Sequence, residues 1–275
     1  YPKSGNTLLR TLLSAYFFSD SGNLKFDLLK NIRQFPSINL FEHMEINIKN
    51  EEEVIKNYIK AQNHINKKNS IQFLKTHSCL FNFKGNVFTD LKNSLGVIYI
   101  VRDPRNVVTS WANHESISLE ESTEALIDKS YKIGGISNVR RDLFSYTSSW
   151  NFNYNSWKEF KSQNKYLLIK YEDLVNDKEK IFINILEFLH KLRNIDLQLD
   201  KKKLKNVLDS TSFEEMKKME KREGFFEASI DKKNKKKKQF FFRGPENNWK
   251  NLLNPKLIKK IENAFENEML ELGYL

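Results

Sequence analysis

The chain has 275 residues, enough for one α/β domain or two smaller ones, and with 39% hydrophobic and 13% aromatic residues a substantial core can form despite a polar average. No apolar run is long enough to cross a bilayer, no signal-peptide pattern is present, and Cys79 as the only cysteine excludes an intrachain disulfide and fits a reducing, cytoplasmic setting. The net charge of +11 admits nucleic acid, a membrane surface or anionic small ligands as partners, although its lysines, spread among asparagines and isoleucines, read mainly as solubility.

The chain opens on Tyr1-Pro2-Lys3-Ser4-Gly5-Asn6-Thr7, followed by an apolar run over 8–18 in which Leu8, Leu9, Leu12, Leu13, Tyr16 and Phe17 recur at helical spacing. This predicts a loop feeding a helix N-terminus, where unpaired backbone N–H groups bind anions, phosphate especially. Gly5 lets the backbone approach closely, and Lys3 and Thr7 add a cation and a hydroxyl donor. The lysine precedes the glycine, whereas a Walker loop places it after the final glycine. Such a loop normally follows a strand. The chain starts inside the motif without a methionine, so that first strand is expected to lie outside it.

Short strand-like runs follow at 71–75, Val97–Val101 and 166–171, each ending in polar residues, with helical patterns between them. This order predicts parallel strands with crossover helices. Asp103-Pro104 has the grammar of a helix start. Trp150, Tyr154, Trp157 and Phe160 form one helical face, as do Ile181, Ile185, Phe188 and Leu189. A last helix should begin at Asn254-Pro255 and bury Ile258, Ile261, Phe265 and Met269. The lysine run at 232–238, between Gly224 and Gly244, reads as a mobile charged loop. With no repeat and no composition break, residues 1–275 read as a single domain.

Several strand ends carry chemistry. In Lys75-Thr76-His77 the lysine and histidine, two apart, share a face, and the neighbouring cation disfavours histidine protonation, which keeps it available as a base. His43, His64, His114 and His190 have no comparable context. Arg102 leaves the strand end and Ser110 lies two helical turns on, so the two can converge on a phosphate. Thr211 is a candidate N-cap, and Phe213 offers a flat surface to a base.

Taken together, these pieces resemble sulfotransferases that use 3′-phosphoadenosine 5′-phosphosulfate (PAPS), of the cytosolic type and closest in pattern to bacterial members. The opening heptad is similar to the family's 5′-phosphosulfate loop, Lys-Thr-His to its catalytic histidine motif, and the span from Arg102 through Asp103-Pro104-Arg105 to Ser110 to its 3′-phosphate motif. Tyr171-Glu172-Asp173-Leu174 resembles a signature whose tyrosine approaches the adenine, and Ser149-Trp150 with Ser156-Trp157 resembles a paired Ser-Trp pattern. Thr211-Ser212-Phe213 resembles the adenine-stacking segment, and 242–250 the closing segment that caps the nucleotide. In that segment Arg243 and Gly244 stand for the family's lysine and glycine, Phe242 for an arginine, and Asn247 and Asn248 for a glycine and an aspartate, asparagine being tolerant of the left-handed conformation. Leu8 stands where a tryptophan is common, and the Thr-Val dimer motif is not found after Trp249.

The resemblance implies a P-loop-like three-layer α/β domain with a central parallel sheet flanked by helices. It implies sulfuryl transfer from PAPS to the hydroxyl or amine of a small-molecule, lipid or sugar acceptor, with His77 as general base, and Lys3, Lys75 and Ser110 as its catalytic partners. Ser110 would hold Lys3 until both substrates are bound. Lys3, Ser4, Gly5, Asn6, Thr7, Arg102, Ser110, Tyr171, Thr211, Phe213, Arg243 and Gly244 would bind the donor. No metal-ligand cluster is visible in the sequence, and a lysine-based site needs no divalent ion. Residues 115–145 should help build the acceptor pocket, with Gly134-Gly135 as a mobile lid. The rival readings are a catalytically weak PAPS binder, a nucleotide-dependent kinase, which the loop order argues against, and a basic nucleic-acid-binding protein, for which no recognisable module is present.

Overall fold

The computed structural model describes residues 1–67, 71–136, 141–230 and 236–275. The opening loop enters α1 (Asn6–Phe18), which buries Leu9, Leu12, Leu13 and Ala15. Strand β1 (Arg33–Gln34) is followed by α2 (Glu51–Lys56), capped by the Asn50 side chain, and α3 (Tyr58–Asn66). Strand β2 (Leu74–Lys75) runs parallel to β1 with Gln34 opposite Lys75, and β3 (Asn82–Phe83) with β4 (Asn86–Val87) forms a small antiparallel unit. Then come β5 (Val97–Val101), α4 (Pro104–Glu115) and α5 (Leu119–Ile127), the last with a complete capping box from Ser118 and Glu121. The hairpin β6 (Lys132–Ile136) and β7 (Arg141–Tyr146) precedes α6 (Trp150–Trp157), β8 (Tyr166–Lys170) and α7 (Tyr171–Asn176). The chain finishes through α8 (Lys178–Leu192), α9 (Lys201–Ser210), α10 (Phe213–Glu223) and α11 (Pro255–Glu271).

The parallel pair β5–β8 divides the core. Alternation along β5 sends Tyr99 and Val101 to one face and Ile98 and Ile100 to the other, and β8 does the same with Tyr166 and Leu168 against Leu167 and Ile169. One face packs on α3, α4, α6 and α11 through Tyr58, Val107, Trp150 and Phe265; the other packs on α1, α8 and α9 through Leu12, Ile185 and Val207. The result is helices on both sides of a parallel strand pair, the layering expected for crossover connections. Each fully buried aliphatic or aromatic side chain contributes about 1.5–3 kcal/mol to such a core.

Local differences from the sequence expectations have physical reasons. Of residues 71–75 only Leu74 and Lys75 pair, and Ile71 is half exposed. Their partner strand supplies Arg33 and Gln34, then the Phe35 N–H to the Lys75 carbonyl at 2.8 Å, and then Pro36, which has no N–H to give. On α8 the fully buried positions are Phe182, Ile185 and Leu186, with Ile181, Phe188 and Leu189 at the margin. On α11 Leu257 is buried in place of Ile258, which is only partly covered. Gly134 and Gly135, expected as a mobile lid, lie in β6 at φ 89° and 111°, where the register shifts. A Cβ on Gly135 would fall 2.5 Å from the Phe144 ring, so this glycine serves close packing across the hairpin.

Candidate active site

The opening loop turns through two left-handed residues, Lys3 at φ 60° and Gly5 at φ 106°, and delivers the chain into α1 at Asn6. The first-turn N–H groups of α1, which have no partner within the helix, are thereby grouped at one end of the sheet. Gly5 is fixed by space as well as by torsion: an added Cβ would lie 2.5 Å from the Tyr171 ring and 2.9 Å from Ile100. Gly5→Ala should therefore cost roughly 1–3 kcal/mol of stability and distort the loop, seen as a lower denaturant midpoint with weakened nucleotide binding. An unchanged midpoint would contradict this packing role.

The register of β5 with β8 builds the next part. It pairs Val101 with Lys170, so the residues that follow, Arg102 and Tyr171, leave the sheet side by side. The Arg102 guanidinium lies 4.2 Å from the Tyr171 ring centroid and donates to the Lys3 carbonyl at 3.2 Å. Asp103 caps α4 by accepting from the Arg105 N–H at 2.9 Å, as its Asp-Pro grammar predicts. Glu172 accepts from the Asp103 N–H and the Tyr274 hydroxyl, locking the two strand ends together. Arg105 turns away from the site, paired with Asp103 and Glu262 and stacked on Trp249.

Lys75 and His77 leave β2 together, and α6 holds their backbone from the core side. Asn153 donates to the His77 carbonyl at 3.1 Å and accepts from the Tyr99 hydroxyl at 2.8 Å. Trp157 Nε1 donates to the Ser78 carbonyl at 3.0 Å, and Ser156 Oγ accepts from the Leu80 N–H at 2.9 Å. The second Ser-Trp pair is thus an anchor for the histidine-bearing segment, while Trp150 is wholly core. Burial first, then the positive charge of Lys75 with Arg10 and Lys3 adding to it, holds the His77 imidazole well below its ordinary pKa. Burial, reinforced by Arg102, brings the Lys3 ammonium down to about 8, against the opposing pull of Glu227 and Glu115.

The C-terminal pieces close over the same end. Ser212, not Thr211, caps α10, accepting from the Glu215 N–H, because the buried Thr211 hydroxyl donates back to the Val207 carbonyl at 2.7 Å. Phe213 packs against Gly244, where an added Cβ would fall 2.3 Å from the ring. Asn247 and Asn248 have φ of −69° and −117°, so neither uses the left-handed region expected for them. Asn247 instead donates to the Asn106 carbonyl and exchanges hydrogen bonds with Thr109, fastening the closing segment to α4.

These elements surround one cleft of about 1530 Å³. Lys3, Gly5, Asn6, Thr7, Lys75, His77, Arg102, Ser110, Tyr171, Thr211, Phe213, Arg243 and Gly244 all line it, whereas Ser4 is buried beneath the loop. Glu115, Ile117, Leu119, Ile133, Gly134 and Leu143, from the segment 115–145, line it too. Lys3 Nζ sits 4.6 Å over the Phe240 ring, and no hydrogen bond joins it to Ser110 among the described residues. Ser4 Oγ, Asn6 Oδ1, His77 Nδ1 and Arg102 Nε are buried with no hydrogen-bond partner among the described residues. Most of the lysine run at 232–238 lies outside the described residues; Lys238 reaches the Asn113 carbonyl and Ser116 Oγ.

Arg10, Glu227 and Asn153 were not expected from the sequence. Arg10 had a signal, being a charge inside the apolar face of α1; in the fold its guanidinium is buried and paired with Glu227. Glu227 had none, since only the fold returns that segment to the loop.

The sulfotransferase domain family matches residues 1–273. The chain belongs to that family. Over 125 residues, 44% of this chain, it is 30% identical to Sulfotransferase 2A6 of Mus musculus, covering 38% of that protein. It is 26% identical to Sulfotransferase 2A1 of Homo sapiens over 180 residues, 64% of this chain and 57% of the relative. The chain thus spans well under two thirds of the curated relatives it matches. Among solved sulfotransferase structures, mouse sulfotransferase SULT7A1 complexed with PAP superposes with a TM-score of 0.59 at 20% identity, covering 98% of this chain and 81% of the other. Retinol dehydratase in complex with androsterone and inactive cofactor PAP gives 0.59 at 16% identity, covering 98% and 78%. At these identities the likeness is one of fold. No described helix is long and apolar enough to cross a membrane.

Proposed function

We propose that this sulfotransferase-family chain moves the sulfuryl group of PAPS to an acceptor hydroxyl or amine. The observation that carries the reading is the meeting of Lys3, Lys75, His77, Arg102 and Arg243 around one cleft at the ends of parallel strands, beside a helix N-terminus. Arg102 Nε, a buried donor with no partner among the described residues, suits an anionic ligand in this cleft, and the fold neighbours described with PAP bound are consistent with it.

PAPS supplies the activated sulfuryl group. His77 takes the proton of the acceptor as the acceptor's oxygen or nitrogen forms its bond to sulfur. The sulfur–oxygen bond to the 5′-phosphate breaks in line, and Lys3, Thr7 and the α1 N–H groups receive the charge that develops on that phosphate oxygen. Lys75 faces the sulfuryl oxygens, Arg102, Ser110 and Arg243 hold the 3′-phosphate, and Tyr171, Thr211 and Phe213 border the adenine. PAP and the sulfated acceptor leave.

The testing measurement compares thermal shifts with PAP, ATP and single-stranded DNA, followed by acceptor screening by mass spectrometry with PAPS supplied. PAP should stabilise the protein most, and a sulfated acceptor should gain the mass of one sulfuryl group. Equal shifts for PAP and ATP would contradict the 3′-phosphate reading. PAP binding with no transfer to any acceptor would favour a catalytically weak PAPS binder.

A further inference from the structure

Glu227 brings a carboxylate into the cation-rich end of the cleft. It lies on the segment after α10, far from the loop in sequence, yet Oε1 is 2.5 Å from Arg10 Nη1 and 3.3 Å from Lys75 Nζ, and Oε2 accepts from Thr7 Oγ1 at 3.4 Å. Arg10 in turn donates to the Leu29 and Ile32 carbonyls, so its guanidinium is held from behind. The side chains are mostly covered, at 7% exposure for Arg10, 12% for Lys75 and 22% for Glu227. With their side chains largely withdrawn from solvent, Arg10 and Lys75 would repel one another without a shared anion.

On the sulfotransferase reading, Lys75 and Thr7 are both groups that should meet the donor. We propose that Glu227 is a positioning residue for transfer, an internal counter-charge that fixes Lys75 and the first turn of α1 relative to each other while Arg10 holds it in place. Geometry supports this over a purely structural ion pair. A pair serving stability alone needs only Arg10 and Glu227, whereas here the same carboxylate also bonds two cleft-lining groups from different elements. Its charge also reaches Lys3, which is faced by Arg102 and Lys75 on the lowering side and by Glu227 and Glu115 on the raising side. Removing the Glu227 charge takes away support for the protonated Lys3, so the alkaline limit of activity should move to lower pH.

The test is Glu227→Gln and Glu227→Asp in the full chain, read by PAP affinity, single-turnover rate with PAPS and the pH profile of that rate. Glu227→Gln should keep or tighten PAP binding, because a negative charge has left the cleft. It should slow transfer roughly tenfold or more through misplaced cations, and shift the alkaline limb to lower pH. Glu227→Asp, which keeps the charge on a shorter stem, should restore part of the rate and the limb. Parallel losses of PAP affinity and rate with an unmoved limb would overturn the proposal, as would a wild-type rate. Should Glu227→Gln not fold, the double exchange Arg10→Met/Glu227→Met removes the buried pair together, which is often tolerated. That variant supports the proposal if it binds PAP and is slow, and overturns it if transfer is normal. Wild-type protein that neither binds PAP nor uses PAPS would overturn the functional reading and this proposal with it.

Discussion

His77→Ala should reduce sulfuryl transfer by about 10²–10⁴-fold, the usual contribution of a positioned general base, while PAP binding stays near the wild-type level. The separation follows from geometry. His77 lines the cleft but belongs to the Lys-Thr-His strand end, whereas the nucleotide contacts proposed above come from the opening loop, the β5–β8 ends and the closing segment. Its backbone is held through its carbonyl by Asn153, so removing the ring leaves the anchor in place. The pH profile gives a second reading of the same assignment. Burial and the surrounding cations hold His77 well below its ordinary value, so it is neutral, and able to accept a proton, from acidic pH upward. Activity should fall on the acid side only as pH drops through that lowered pKa. On the alkaline side it should fall as Lys3 loses its proton near pH 8. The acid limb should disappear from the residual activity of His77→Ala. Transfer within about tenfold of wild type would remove His77 from the base role.

Arg102→Ala should weaken PAP by roughly ten- to a hundredfold, as expected for losing a charge-assisted contact of about 1.5–3 kcal/mol to a phosphate. The nucleotide lacking the 3′-phosphate should lose far less. Arg102 is suited to that discrimination because its guanidinium is already oriented, stacked on Tyr171 and bonded to the Lys3 carbonyl, with Nε buried and unpartnered among the described residues. Arg102→Lys keeps the charge but not the planar fork, so it should recover only part of the affinity. The stack and the bond to Lys3 also have structural value, so thermal stability is measured beside binding. Equal losses for both nucleotides would place Arg102 in support of the loop rather than at the 3′-phosphate.

Much of this site could be read from the sequence because its parts sit where short-range grammar is strong. Gly5 before an apolar helical run, Asp103-Pro104 after a β-branched strand, and Asn254-Pro255 before the last helix each state a local geometry that the fold keeps. Less legible were features set by distant neighbours. Thr211 has the chemistry of a cap, but burial turned its hydroxyl to Val207 and left the cap to Ser212. The strand expected over 71–75 was cut short by the brevity of its partner, which residues 71–75 do not encode. Asn247 was read for backbone tolerance, whereas its side-chain amide does the work by joining the closing segment to α4. Glu227 stands 217 residues from Arg10 in sequence, and no periodicity links them.

The hold that α6 keeps on residues 77–80 has a practical consequence for reading variants. Asn153 and Trp157 reach the histidine segment through its carbonyls, from within the aromatic core and without lining the cleft. A substitution there should tilt His77 while leaving the rest of the cleft lining in place. In a mutational screen such variants would carry the kinetic signature of active-site lesions, and ranking residues by distance from the cleft would file them among the bystanders.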